Sequence, residues 1–308
     1  MAISGNFHQS HLIPINIMPL SKVQKGKFSF FTIETGRFSL DGGAMFGVVP
    51  KTMWSKKIES DEKNRIPMAM RCLLVHSSET DRLYLIDNGA GTKFDEKMSA
   101  IYGLYYDEGT LESSLAEHGF SVDDITDMIF THLHFDHCGG STAFNENGEA
   151  EIVFKNATHW VSRKQWVNAN TANEREKASF LPENIEPLRQ SRKLKLITED
   201  HEFEKGFTIE MVNGHTKGQI LPCFDTDNFK MVYGADLLPT HAHIPLPWIM
   251  GYDLYPVDTL SEKKKLLEKW SNEVRYLYLE HDAEHEIVTI EKKGERYSAG
   301  KSLTLNEL

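Results

Sequence analysis

Thr131-His132-Leu133-His134-Phe135-Asp136-His137 places four metal-capable side chains within six residues, directly after the strand-like run Asp127-Met128-Ile129-Phe130. On an extended chain alternate side chains share a face, so His132 and His134 point the same way. A turn after His134 then aims Asp136 and His137 at a second point close by. Two neighbouring metal points are what a hydrolytic bimetal site needs, since two cations about 3.5–4 Å apart hold one hydroxide between them and clamp the developing oxyanion. Three imidazoles and a carboxylate buried this close together are costly without a cation or partners, so they read as ligands rather than packing.

Further ligand candidates stand where other strand-like runs end. Phe207–Val212 leads to Asn213-Gly214-His215-Thr216, Lys230–Tyr233 to Gly234-Ala235-Asp236, and Arg275–Leu279 to Glu280-His281-Asp282. β-Branched and aromatic residues bounded by Gly, Asn or Asp are what a strand entering a turn looks like. The expected assignment is one ion on His132, His134 and His215 and a second on Asp136, His137 and His281. Asp236 is shared, one oxygen to each. This nitrogen and oxygen set suits two divalent ions, zinc first, with manganese, iron or cobalt admissible. His241, His243 and His285 read as bystanders, and Cys138 as packing.

Between the strands lie helical patterns. Thr110 to Gly119 sets Leu111 and Leu115 four apart, with glycine as the stop. Ser162-Arg163-Lys164-Gln165 has capping-box spacing. Asp258 is expected to cap a helix with Leu260, Leu267 and Trp270 inside and Lys263, Lys264 and Lys265 outside. Alternating strands and helices, some strands close enough for hairpins, predict a mixed-sheet α/β domain. It is expected over residues 27–291, with a polar N-terminal arm at 1–26 and a C-terminal tail at 292–308.

Composition narrows the classes. The 308 residues are 40% hydrophobic and 26% charged, which excludes wholesale disorder, collagen-like and disulfide-scaffold chains. A formal net charge of −11 argues against nucleic acid as a partner, because phosphate binding needs cations. The three cysteines, Cys72, Cys138 and Cys223, form no C-x-x-C pair and fit a reducing, cytoplasmic setting. The beginning of the chain does not read as a secretory signal, and no apolar run is long enough for a membrane span.

The ordered motifs T-H-x-H-x-D-H, G-H-T, G-A-D and a late histidine, spread over about residues 85 to 282, resemble the metallo-β-lactamase superfamily. The resemblance implies a four-layer αββα sandwich with two mixed sheets and the metals at one edge. Asp41-Gly42-Gly43-Ala44-Met45-Phe46-Gly47-Val48-Val49-Pro50 and Gly234–His241 are similar to the branch holding acyl-homoserine lactonases and methyl-parathion-type hydrolases. By that resemblance Asp87 is a carboxylate behind a ligand histidine, as metal-bound imidazoles usually require. There are departures. Pro239 stands where some lactonases carry a carbonyl-assisting tyrosine, and Gln219 where relatives of the G-H-T-x-G-H type have histidine. The shared aspartate is foreign to true β-lactamases, and His134 replaces the glutamate of flavodiiron oxygen reductases.

The expected activity is metal-assisted hydrolysis of an ester-like bond, most of all a lactone of the N-acyl-homoserine type, the chemistry of quorum quenching. A metal-bridging hydroxide would attack the carbonyl, with Asp136 or Asp236 passing the proton to the leaving group. Met45, Phe46, Trp248 and Met250 are candidates for an apolar acyl pocket. The partner is a small-molecule substrate, with no nucleic acid and no membrane, and the branch makes a homodimer plausible. Rival readings are an organophosphate triester hydrolase on the same centre, a mono-iron persulfide dioxygenase, and a binding module holding structural metals. His137 and His281 speak against the mono-iron reading, which needs only three ligands.

Overall fold

The structure, a computed structural model, describes residues 21–199 and 201–308. In chain order β1 (Lys22–Lys25), β2 (Phe28–Asp41), β3 (Arg65–Ser77), β4 (Arg82–Ile86) and β5 (Asp127–Ile129) come first. A small hairpin of β6 (Thr142–Phe144) and β7 (Ala150–Ile152) intervenes before β8 (Thr158–Ser162) and β9 (Leu194–Ile197). The first sheet has the spatial order β1-β2-β3-β4-β5-β8-β9, antiparallel up to β4 and parallel beyond. The second sheet runs in sequence order through β10 (Glu202–Glu204), β11 (Phe207–Val212), β12 (Gln219–Thr226), β13 (Phe229–Tyr233), β14 (Tyr276–Tyr278), β15 (Ile287–Lys293) and β16 (Arg296–Leu303). Within it β13 and β14 are parallel, joined across the helix Pro256–Glu273.

Period-two side-chain alternation decides the layering. In β3 and β4, Leu73, Val75, Tyr84 and Ile86 join one buried cluster with Phe207, Phe224, Met231 and Tyr233 of the second sheet. Their neighbours Cys72, Leu74, Leu83 and Leu85 join another, with Leu111, Leu115, Ile185 and Leu188 from covering helices. Both faces of these strands are therefore buried, and the two sheets pack face to face with helices outside: the expected α/β sandwich. The seam is rich in aromatic rings, with Phe30 on Phe224 at 5.0 Å and Tyr84 on Phe207 at 5.1 Å, both edge to face.

Several local expectations meet the structure differently. The helix Leu111–Glu117 falls within the expected Thr110–Gly119 span, and Thr110 caps it by accepting from Ser113 N. The helix Pro256–Glu273 starts at Pro256, whose fixed φ and missing N–H suit the first turn, so Asp258 lies inside that turn instead of capping it. Its buried face is Thr259, Lys263, Leu266, Leu267 and Trp270, while Leu260 is 41% exposed. Lys263 is thus inside, not outside; its ammonium donates to the carbonyls of His243, Pro245 and Trp248 at 2.6, 3.0 and 2.8 Å. The segment 292–308 is no loose tail, since it completes β15, forms β16 and buries Leu303 and Leu305. Of the expected arm, residues 22–25 pair with β2 as β1, and residues 1–20 lie outside the described residues. Among the described residues no helix is long and apolar enough to cross a membrane.

Candidate metal centre

The parallel strands bring their C-terminal ends to one edge, where crossover connections leave a crevice open to ligands. Ile86 of β4 pairs with Ile129 of β5, and Tyr233 of β13 with Tyr278 of β14, so the residues after all four meet there. After β5, His134, itself in extended conformation, leads into the short helix Phe135–Cys138. That switch from extended to helical backbone turns Asp136 and His137 away from the direction of His132 and His134.

All seven expected ligands converge. His132, His134, His215 and Asp236 form one group and Asp136, His137 and His281 a second, each with its donor atoms within 4.8 Å of one another. In the first, His134 Nδ1 lies 3.1 Å from His132 Nε2 and 3.2 Å from His215 Nε2, and Asp236 Oδ2 is 3.1 Å from His215 Nε2. In the second, His281 Nε2 is 3.1 Å from His137 Nε2 and 3.6 Å from Asp136 Oδ2. Asp236 faces both groups, with Oδ1 3.2 Å from His281 Nε2. Ligands on a tetrahedral zinc at about 2.0–2.1 Å sit about 3.3 Å apart, so these separations fit bound ions. Asp236 Oδ1 is buried without a hydrogen-bond partner, an oxygen that a cation would satisfy.

The remaining ring nitrogen of each histidine is held. His132 Nδ1 donates to Thr131 Oγ1 at 3.1 Å, and His134 Nε2 to Glu176 Oε1 at 3.2 Å. His215 Nδ1 donates to Asp253 Oδ1 at 3.1 Å, and His281 Nδ1 to the carbonyl of Ala69 at 2.8 Å. His137 Nδ1 stands 3.1 Å from both Asp87 Oδ2 and Glu280 Oε2. These acceptors fix which nitrogen faces the centre. Asp87, at a positive φ of 55°, also accepts from Thr131 N and Thr131 Oγ1, tying β4 to the histidine segment.

The cage demands positive charge. Burial alone lowers a histidine's pKa. For His215 and His281 that burial is outweighed by Asp236, joined by Asp253 at His215 and Glu280 at His281, so they are pushed up to about 10 and about 9. His137 is likewise held well above its ordinary value, against burial, by Glu280, Asp136 and Asp236. His132, buried and facing His137 and His134, is pushed well down and presents a free lone pair. Divalent ions would supply the charge the carboxylates call for while using the nitrogen lone pairs.

The other sequence candidates fall outside the cage. Cys138 is buried, donates to Leu133 O and is pushed up to about 12 by burial. His243 stacks on Phe46 at 4.6 Å and bonds the carbonyl of Met45. Phe46, 0% exposed between Trp54, His243 and Trp248, is shut off from any substrate, which corrects its reading as pocket lining. Met45 and Met250 are nearly sealed in the same cluster, and Trp248 is partly exposed. Gln219, oriented with its amide oxygen inward, accepts from Asp236 N and Leu237 N, clamping the turn that carries the shared aspartate. Pro239 leaves no phenol at its position, but burial raises Tyr102 and Tyr252, with the charge of Asp136 adding at Tyr102 and those of Asp41 and then Asp136 at Tyr252.

The sequence reading missed Glu176, Asp253 and Glu280. Glu280 is adjacent to a named ligand, and that adjacency was the available signal. Asp253 follows Gly251-Tyr252 in a turn, and Glu176 sits in the charged run Asn173–Lys177, which reads as a solvated loop.

Two facing mixed sheets with a histidine–aspartate cage at the strand ends define a metal-dependent hydrolase. The chain belongs to the metallo-beta-lactamase superfamily, whose model matches residues 71–281. It is 26% identical over 251 residues to the N-acyl homoserine lactonase AiiA of Bacillus thuringiensis subsp. kurstaki, covering 71% of this chain and 92% of that one. Among solved structures it is similar to a probable metal-dependent hydrolase from Staphylococcus aureus, with a TM-score of 0.80, 28% identity, and coverage of 92% of this chain and all (100%) of that one. It also shares the fold of AidC, a dizinc quorum-quenching lactonase solved with its product, with a TM-score of 0.76, 23% identity, and coverage of 92% and 98%.

Proposed function

We propose that this hydrolase is dinuclear and opens lactones of the N-acyl-homoserine type. The observation that carries the dinuclear reading is Asp236, which stands between the two histidine groups, Oδ2 3.1 Å from His215 Nε2 and Oδ1 3.2 Å from His281 Nε2. The lactone reading is supported by the curated lactonases that the chain resembles over most of their length. Two divalent cations held by the seven residues would supply hydroxide at neutral pH and polarise the carbonyl.

The chain's own residues then have distinct tasks. Asp136, Asp236 and His134 are 8%, 7% and 7% exposed, whereas His132, His137, His215 and His281 are at most 2% exposed, so substrate approaches over the first three. Asp236 is held by the two groups it joins. The carboxylate of Asp136 makes no hydrogen bond among the described residues and lies on the open face, placing it to receive a proton and return it to the departing alkoxide. Tyr102 and Tyr252, kept protonated, offer phenolic donors near the same face. Trp248, the partly exposed residue packed on the cluster of Met45 and Met250, gives an acyl chain an apolar boundary.

The test is ring opening of an N-acyl-homoserine lactone by metal-replete, chelated and reloaded protein, with methyl parathion in parallel. Lactone turnover that vanishes on chelation and returns on reloading is expected. Faster turnover of the phosphotriester would replace the lactone by the organophosphate reading, and equal rates in chelated and replete samples would end the metal-hydrolase mechanism.

A further inference from the structure

We propose that His241, Asp282 and His285 form a third site, separate from the cage, for a divalent transition-metal ion such as zinc or copper. One donor atom from each of the three lies within 4.8 Å of the others, and none belongs to the two groups of the main centre. The rings of His241 and His285 meet edge to face at 4.3 Å and 71°, both partly open to solvent. Between them Asp282, 2% exposed, supplies the carboxylate.

The site is built rather than accidental. Oδ2 of Asp282 accepts from His241 N at 2.8 Å, and Oδ1 from Glu284 N and His285 N at 3.0 and 2.8 Å, so the carboxylate is fixed without cost at binding. Arg71, fully buried, donates to the carbonyls of Asp282 and His285 and holds the same loop from below. Ser302 Oγ bonds His285 Nδ1 at 2.8 Å, leaving Nε2 of that ring as its free donor. Two imidazoles and one carboxylate with an open side are the set that zinc and copper take in preference to magnesium or calcium. His241 Nδ1 now lies 2.6 Å from Asp282 Oδ2, so an ion between them opens that pair by about 0.7 Å toward the ligand spacing of a tetrahedral site. Bound there, the ion would join the loop after β13 to the loop after β14, one residue beyond His281.

The experiment compares the metal-loaded wild type with the H241A/H285A double variant. Neither histidine touches the cage, and both are partly exposed, so the variant should fold and keep its main-site metal. Zinc uptake after equilibration with ZnCl2 is expected to differ by about one ion per chain, whatever the content of the main centre. Cu2+ added to the zinc-loaded wild type should give an electron paramagnetic resonance signal with nitrogen splitting from two imidazoles, which is absent in the variant. Equal uptake in the two proteins, or a copper signal unchanged by the substitutions, would overturn the proposal.

Discussion

Replacing Glu176 by alanine tests whether the cage is oriented from outside. The carboxylate is 2% exposed and accepts from His134 Nε2 at 3.2 Å, from Asn168 Nδ2 at 2.9 Å and from the hydroxyl of Thr216. Its removal frees the His134 ring to rotate, withdrawing Nδ1 from the point it shares with His132 and His215. Losing such a partner of a ligand histidine costs about 10–100-fold in metal affinity, or about 1.4–2.8 kcal/mol. A charge-assisted hydrogen bond, worth about 1.5–3 kcal/mol, gives the same range independently. The Glu176→Gln variant keeps an acceptor of the same shape and should lose less. Competition with a chromophoric chelator measures the affinities, and the loss should fall on one ion of the pair, since His137 and His281 do not touch Glu176. A folded alanine variant binding both ions within twofold of wild type would refute the reasoning.

Arg71→Met should lower the unfolding free energy by about 3–5 kcal/mol, because Glu34 at 2.9 Å and the carbonyls of Leu279 and Asp282 lose a fully buried partner. A loss under about 1 kcal/mol in urea unfolding would contradict that. Asp282, against the effect of burial, is lowered from 3.8 to about 2 chiefly by His241. Its folded value lies below its unfolded one, so its contribution of about 2 kcal/mol is whole above about pH 4 and fades as the pH falls through about 2. The stability gap between wild type and Asp282→Asn should therefore narrow from pH 5 to pH 3; a constant gap would sink the assignment.

The sequence was most legible where chemistry and periodicity coincide. Clustered histidines at strand ends are improbable as packing, so the seven cage residues could be named before their distances were known. Strands β11 and β13 announced themselves as apolar runs closed by Gly, Asn or Asp. Residues acting from behind the cage were less visible because each reads locally as something ordinary: Glu176 as one charge in a solvated loop, Asp253 as a turn aspartate. Lys263 was misread with its neighbours because three consecutive lysines carry no period, and only the phase of the helix decides which one turns inward. β16 was hidden for a related reason, since an edge strand with the burial of Arg296–Leu303 shows few apolar positions.

How His281 reaches the histidines of the other sheet explains why the centre needs this fold. β4 pairs with β3 only from Leu73 to Ser77, so the earlier part of β3 presents a free edge on that side. The chain leaving β14 crosses to that edge. Ala69 N donates to His281 O and Arg71 N to Glu280 O, and Met68 bridges Asp282. The carbonyl of Ala69 returns the contact by accepting from the His281 ring. Residues 280–282 thus prolong the first sheet while rooted in the second. The hydroxyls of Tyr233 and Tyr278 add cross-sheet bonds to the carbonyls of Arg71 and Cys72. A ligand carried on a free loop would have to be ordered when an ion binds; here the backbone ladder has fixed it beforehand. The cage is therefore as rigid as the seam between the sheets, and substitutions along that seam should weaken metal binding without touching a ligand.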